Sequence, residues 1–351
     1  MGVIIITGSS GLVGSESVSF FSGLGKTVVG IDNDMRRHFF GEGASTRSMV
    51  SLLKSRFPNF VHFETDIRNR VELENVFREF NSGIECVIHA AAQPSHDWAA
   101  QEPFTDFEVN ALGTINMLEM TRRHSPKASF IFMSTNKVYG DQPNHLPLIE
   151  RETRWTLDAG HPYAQNGIDE SMSVDQALHS LFGASKLAAD LVVQEYGRYF
   201  GMNTACFRAG CITGRNHAGA EQHGFLSYLM RCAFTGTEYK VYGYKGKQVR
   251  DMIHAADLAR AFHEVFQSPR AGAVYNMGGH IHANCSVLEA IRACEERVGK
   301  KMIQAYVDGN RRGDHIWWIS DTRLFQRDYP NWHPAYDMNA IYDDLFAGLL
   351  K

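Results

Sequence analysis

The 351 residues contain no long apolar run and no cluster of basic residues. A membrane-spanning helix needs about 20 consecutive apolar residues, so the first absence argues against a membrane protein. A net charge of −4, with lysine and arginine dispersed, argues against a nucleic-acid groove or a polybasic membrane anchor. Cysteine is sparse. Cys86, Cys206, Cys211, Cys232, Cys285 and Cys294 never form C-x-x-C, and several lie inside apolar runs. That pattern fits reduced, buried thiols in a cytoplasmic protein. The 16 histidines lack ligand spacing, so no metal is assigned. There is no internal repeat and no low-complexity segment. The first apolar run follows only Met-Gly, without basic residues, and reads as a core strand rather than a signal peptide. At 44% hydrophobic and 21% charged residues, the composition is that of a globular protein large enough for two lobes.

What is present is organised around residues 3–32. Val3-Ile4-Ile5-Ile6-Thr7 is β-branched and short, as suits a strand buried on both faces. Gly8, Ser10, Gly11, Leu12, Val13 and Gly14 form a glycine-punctuated turn opening a helix to about Leu24, and Thr27–Ile31 reads as the next strand. This arrangement gathers unpaired backbone N–H groups and the positive end of a helix at one point, which suits a pyrophosphate. Asp32, followed by Asn33, ends the second strand where a carboxylate can accept hydrogen bonds from an adenosine ribose. The spacing G-x-x-G-x-x-G is one residue longer in its first gap than the G-x-G-x-x-G fingerprint. Strand, helix and acid together predict a bound dinucleotide. Asp32 favours NAD by repelling a 2′-phosphate, although Arg36 and Arg37 lie close enough to serve one.

Further along, helices are expected near Thr46–Arg56, Val71–Phe80, Thr105–His124 and His179–Phe200, with strands at Phe60–Glu64, Cys86–His89, Ser129–Met133 and Thr204–Arg208. Alternation of this kind predicts an α/β protein with a doubly wound parallel sheet. Asp66 and Ile67 follow the third strand, where the carboxylate could meet an adenine amino group or cap the next helix. Ala90, Ala91 and Ala92 are small enough to let a dinucleotide, or simply a helix, pass close. Residues 141–178 read as a long irregular loop, and long loops are usually functional. The later segments read as a smaller lobe over the crevice. The expected division is 1–209 with 250–278 for the dinucleotide-binding part, and 210–249 with 279–351 for the substrate lobe.

Together, Gly8-x-x-Gly11-x-x-Gly14, Asp32, Asp66-Ile67-Arg68, the His89-to-Ala92 run, Asn110, Ser134-Thr135, Val138-Tyr139-Gly140 and Lys186 resemble the extended short-chain dehydrogenase/reductases that act on nucleotide sugars. The resemblance covers nearly the whole chain. It implies a Rossmann-type sheet with a second, smaller α/β lobe, resident NAD, a nucleotide-sugar substrate and a homodimer paired through the helices near 105–124 and 179–200. Residues 134–141, Asp169-Glu170-Ser171, His179-Ser180 and 246–251 with His254 look most like the branch that epimerises CDP-linked dideoxyhexoses at C2. By resemblance Lys186 binds the nicotinamide ribose, Asn110 steadies the water network of Lys186, and Ala209 is a coenzyme contact.

Ser134 and Thr135 are candidates to hold the reacting hydroxyl, or to cap the strand end. Gln93, Asn136, Cys211, His223, Phe225, Gln248, Arg250 and Arg312 are the candidate substrate contacts. The two arginines suit a diphosphate but could equally be surface charges, and Phe225 could wall a base or fill a core. Asp314 reads as structural. Asn136-Lys137 stands where the related dehydratases carry an Asp-Glu pair, which disfavours loss of water from the sugar.

One position departs from the family. Its Tyr-x-x-x-Lys motif reads Phe182-x-x-x-Lys186, and no other Tyr precedes a Lys by four residues. Residues four apart share a helix face, so the ammonium would activate a phenol there, and Phe182 has no proton to exchange. Another group (Ser134, Thr135, Tyr163 or water) could move the proton. Alternatively the substitution blocks turnover, or the chemistry is different. Epimerisation through a keto-sugar therefore competes with a redox-initiated lyase or hydrolase and with an NAD-binding scaffold.

Overall fold

The computed structural model describes residues 2–217, 219–221, 224–311 and 313–350. His223 and Arg312, two of the candidate substrate contacts, lie outside the described residues. The chain begins β1 (Val3–Thr7), α1 (Leu12–Gly23), β2 (Thr27–Ile31) and β3 (Phe60–Phe63). Next come α2 (Arg70–Phe80), β4 (Ile84–His89), α3 (Gly113–His124), β5 (Ser129–Thr135), α4 (Ser180–Phe200) and β6 (Thr204–Ala209). The later elements are β7 (Cys211–Thr213), α5 (Phe225–Thr235), β8 (Tyr239–Tyr242), β9 (Val249–His254), α6 (Ala255–Gln267) and β10 (Ala273–Met277). The last are β11 (Asn284–Ser286), α7 (Val287–Val298), β12 (Gln304–Val307), β13 (Trp317–Trp318) and α8 (Met338–Leu349).

Seven strands form one sheet in the order β10-β6-β5-β4-β1-β2-β3, all parallel. Side chains alternate across a strand, and β1 shows the consequence. Ile4 and Ile6 join Val18, Phe21, Phe207 and Phe262 on the face covered by α1 and α6. Val3 and Ile5 join Leu73, Phe77, Met117, Phe130 and Val193 on the face covered by α2, α3 and α4. All five β1 residues are buried. Each fully buried Ile or Phe contributes roughly 1.5–3 kcal/mol. The doubly wound sheet expected from the alternation is present.

A second lobe packs α5, α7 and α8 with the parallel pair β8 and β12 around Leu229, Met230, Ile291 and Ile341. Between the lobes β9 pairs with β7, β11 and β13. Three local expectations change. The helix expected over 105–124 is a short helix Pro103–Phe107, a π-helical turn Glu108–Leu112 and then α3. Asn69, not Asp66, caps α2 by accepting from the Val71 and Glu72 amides. The 141–178 loop contains an antiparallel hairpin, Leu148–Glu150 with Trp155–Leu157. Among the described residues no helix is long and apolar enough to cross a membrane.

Candidate active site

The strand order turns back between β1 and β4, and parallel sheets bind ligands beyond the carboxyl ends of their strands at such a point. A crevice of about 550 Å³ lies there. The turn after β1 forms its floor. Gly8 adopts φ +63°, its amide donates to the Ile31 carbonyl at 2.8 Å, and a Cβ on it would press on the Ala90–Ala91 backbone. At Gly14 a Cβ would lie 2.0 Å from the Gly8 carbonyl oxygen, so only glycine lets α1 sit this close to the turn. Gly11 caps α1 without any side-chain hydrogen bond, and the Ser10 hydroxyl is buried without a partner among the described residues. Free first-turn amides on a glycine turn fit a diphosphate.

Asp32 accepts from the Ser10 amide (3.0 Å) and the Asp34 amide (2.9 Å), which leaves further lone pairs on its carboxylate facing the crevice. Asn33 donates to Asp66 at 2.9 Å. Burial would raise the Asp66 carboxyl, but hydrogen bonds from Arg68 and Asn33 outweigh it, so the group is held below its ordinary value. Ile67, Ala90, Ala91, Ala92 and Ala209 complete this side of the crevice together with Leu12, Val13 and Ser10.

Further in, Lys186 projects from α4 with its side chain almost wholly buried. Its ammonium donates to the Met133 carbonyl at 2.7 Å and sits 4.1 Å from the Phe132 ring centroid. Burial lowers it to about 8, and Asp190 works in the opposite direction. Ser134 and Thr135 stand at the end of β5, where alternation sends them opposite ways. The Ser134 hydroxyl donates to Asp190 at 2.5 Å, and Asp190 also holds Arg208 at 2.7 Å. Thr135 accepts from the Lys137 amide at 3.2 Å and lines the crevice. Both hydroxyls therefore have structural partners, and both residues border the crevice.

Phe182 lines the crevice with its ring edge-on to His96, centroids 5.0 Å apart. Beyond it lies a cationic rim of Lys137, Arg250 and Arg311, with Asn136, Cys211, Phe225, Tyr242 and Gln248 beside it. Lys137, lowered to about 8 by burial, donates to the Gly313 carbonyl at 2.8 Å. Arg250 lies 3.6 Å from Asp314, and Arg311 stacks on Tyr242 at 4.3 Å. Gln248 keeps a buried carbonyl oxygen without a partner among the described residues. Burial pushes the Cys211 thiol up to about 11.

Residues 4–278 match the model of the NAD dependent epimerase/dehydratase family. The chain belongs to this family. As an epimerase/dehydratase family member it has NAD as its coenzyme. It is 32% identical to CDP-paratose 2-epimerase of Salmonella typhi over 300 residues, 84% of this chain and 83% of that one. It is 28% identical to human UDP-glucose 4-epimerase over 354 residues, 98% and 95% of the two chains. Among solved structures, a Tyr-to-Phe variant of UDP-glucuronic acid 4-epimerase from Bacillus cereus, in complex with UDP-4-deoxy-4-fluoro-glucuronic acid and NAD, superposes with a TM-score of 0.80. The two are 20% identical, each covered to 99%. That likeness speaks for the fold of this epimerase/dehydratase.

Two residues expected in contact with ligand face elsewhere. The Gln93 amide is spent on Ser95 and Asp106, and Asn110 clasps the Gln93 backbone, Asp106 and Ser185. Neither lines the crevice. Their place is behind the wall, fixing the loop that carries residues 93–96. Tyr163 lies outside the crevice too, packed with the cluster around Trp318. Sequence reasoning missed His96, which sits in that loop without a motif, and Arg311, the immediate neighbour of the arginine it chose.

Proposed function

We propose that the protein epimerises a nucleotide-linked sugar, a CDP-hexose at C2, through a transient keto-sugar. One observation carries this reading. A single crevice joins the glycine turn and Asp32 at one end to the Lys137, Arg250 and Arg311 rim at the other, with Lys186 and Thr135 between them. The glycine turn and Asp32 would hold the diphosphate and ribose of the coenzyme, and the cationic rim the diphosphate of the substrate. NAD, when bound, supplies a reversible hydride acceptor, so the net redox change is zero. Lys186 would anchor the nicotinamide ribose and keep the field near the reacting carbon positive. Thr135 would hold the sugar oxygen as it becomes a ketone.

Epimerisation is favoured over dehydration because Asn136 and Lys137 provide no carboxylate pair to expel water. The 32% identity to CDP-paratose 2-epimerase supports the CDP-sugar and the carbon. The same reading includes a cytoplasmic homodimer paired through α3 and α4. Purified protein incubated with CDP-, UDP- and GDP-hexoses in deuterated water, with the ring carbons followed by NMR, tests the proposal. Inversion at C2 of a CDP-hexose is expected. Retention at every ring carbon with all three nucleotide classes would overturn it.

A further inference from the structure

The position that carries the phenol in the family motif is Phe182, and the side chain against it is an imidazole. We propose that His96 Nε2 takes the proton from the substrate hydroxyl in place of that phenol, a step that rests on the epimerase reading above.

Three observations support this. The His96 ring lines the crevice shared by Thr135, Phe182 and Lys186, and it packs edge-on against Phe182, the side chain that stands in the place of the phenol. Second, the ring is held. His96 Nδ1 lies 2.8 Å from the Ser180 hydroxyl, and Gly313 backs it so closely that a Cβ there would lie 2.6 Å from the imidazole. Ser180, at the start of α4, adopts φ +59°, a conformation that costs a non-glycine residue roughly 1–3 kcal/mol and tends to be kept at functional sites. Third, Nε2 makes no hydrogen bond among the described residues, so its capacity is unspent. With Nδ1–H donating to Ser180, the Nε2 lone pair is the free one. Ser180 is then a positioning residue that holds the ring, and because its hydroxyl can donate or accept, the tautomer is what the NMR measurement below reads.

The hydrogen of the C–H bond would leave with its electron pair to the nicotinamide that bound NAD would supply. The hydroxyl proton passes to Nε2, and the carbonyl forms. On return the imidazolium gives the proton back to the sugar oxygen. Burial holds His96 at about 4, helped by Lys137 and Arg311 and opposed by Asp314, and the buried imidazole of His315 also faces it. A substrate diphosphate against Lys137 and Arg311 would offset both cations and move the imidazole toward the range of a working base.

The test uses NAD-loaded protein and has two readouts. The first is the NMR titration and tautomer of His96, with and without CDP. The expected result is Nδ1–H in the neutral ring and an upward shift when CDP binds. The second is kcat, KM and the pH profile of epimerisation for wild type, His96→Asn, Phe182→Tyr and the double variant. His96→Asn should lower kcat by about 10²–10⁴ with little change in KM and remove the acidic limb, and adding Phe182→Tyr should restore turnover. An unchanged kcat and acidic limb in His96→Asn, or a His96 titration indifferent to CDP, would overturn the assignment and leave the epimerase reading intact. No inversion of any nucleotide sugar by the wild type would overturn that reading, and this assignment with it.

Discussion

Replacing Lys186 by Met should make the ligand-free protein more stable and inactive. The ammonium is buried against Phe132 and the Met133 carbonyl and titrates near 8 instead of its ordinary 10.5. At about 1.4 kcal/mol per tenfold change in proton affinity, that difference places on the order of 3 kcal/mol against the folded state. The lost hydrogen bond to Met133 returns about 1 kcal/mol, so the variant should gain about 2 kcal/mol. The sign with pH follows from the depressed value. The penalty is fully present below about pH 8, where lysine is charged in both states. It is relieved as pH rises toward 10.5, where only the unfolded chain still holds the proton. Urea unfolding followed by tryptophan fluorescence and far-UV circular dichroism, at neutral pH and near pH 10, measures both terms. A variant less stable than wild type at neutral pH, or an advantage that fails to shrink at high pH, would refute the reasoning.

Asp190 receives Arg208, Ser134 and Gln194 with no solvent contact, so Asp190→Ala should cost about 3–5 kcal/mol by leaving Arg208 buried and unpaired, read as a lower urea midpoint. The same change removes the charge that holds Lys186 up, and should move any alkaline limb assigned to Lys186 toward lower pH. Gly14→Ala should disturb the turn and cost at least about 1.4 kcal/mol of NAD affinity, roughly tenfold by calorimetry, because its Cβ meets the Gly8 carbonyl at 2.0 Å. Asp32→Ala should weaken NAD by about 1.5–3 kcal/mol and narrow the preference over NADP, measured by titrating both coenzymes.

Much of the coenzyme half was legible because its signals are local. Strand, glycine turn, helix and acid follow one another within residues 3–32, and strong hydrophobic runs fix which side chains go inside. The break in the expected 105–124 helix left no such trace. No proline marks it, and the π-helical turn is seated where Gly113 packs against Ile67 and Asn110 reaches the Gln93 backbone, contacts made across long sequence separations. Side-chain direction was equally hidden. Gln93 and His96 are three residues apart, yet one faces Asp106 in the wall and the other faces Phe182 in the crevice. The cationic rim is assembled from Lys137, Arg250 and Arg311, which come from three distant stretches of the chain, and nothing in their local sequence marks them as a group.

Crystals grown with NAD test the central claim most directly. The diphosphate should lie on the amides of Leu12 and Val13 at the start of α1, the adenosine ribose on Asp32, and the nicotinamide ribose within hydrogen-bonding distance of Lys186 Nζ. Density placing the diphosphate away from the glycine turn, or the nicotinamide away from Lys186 and Phe182, would contradict it.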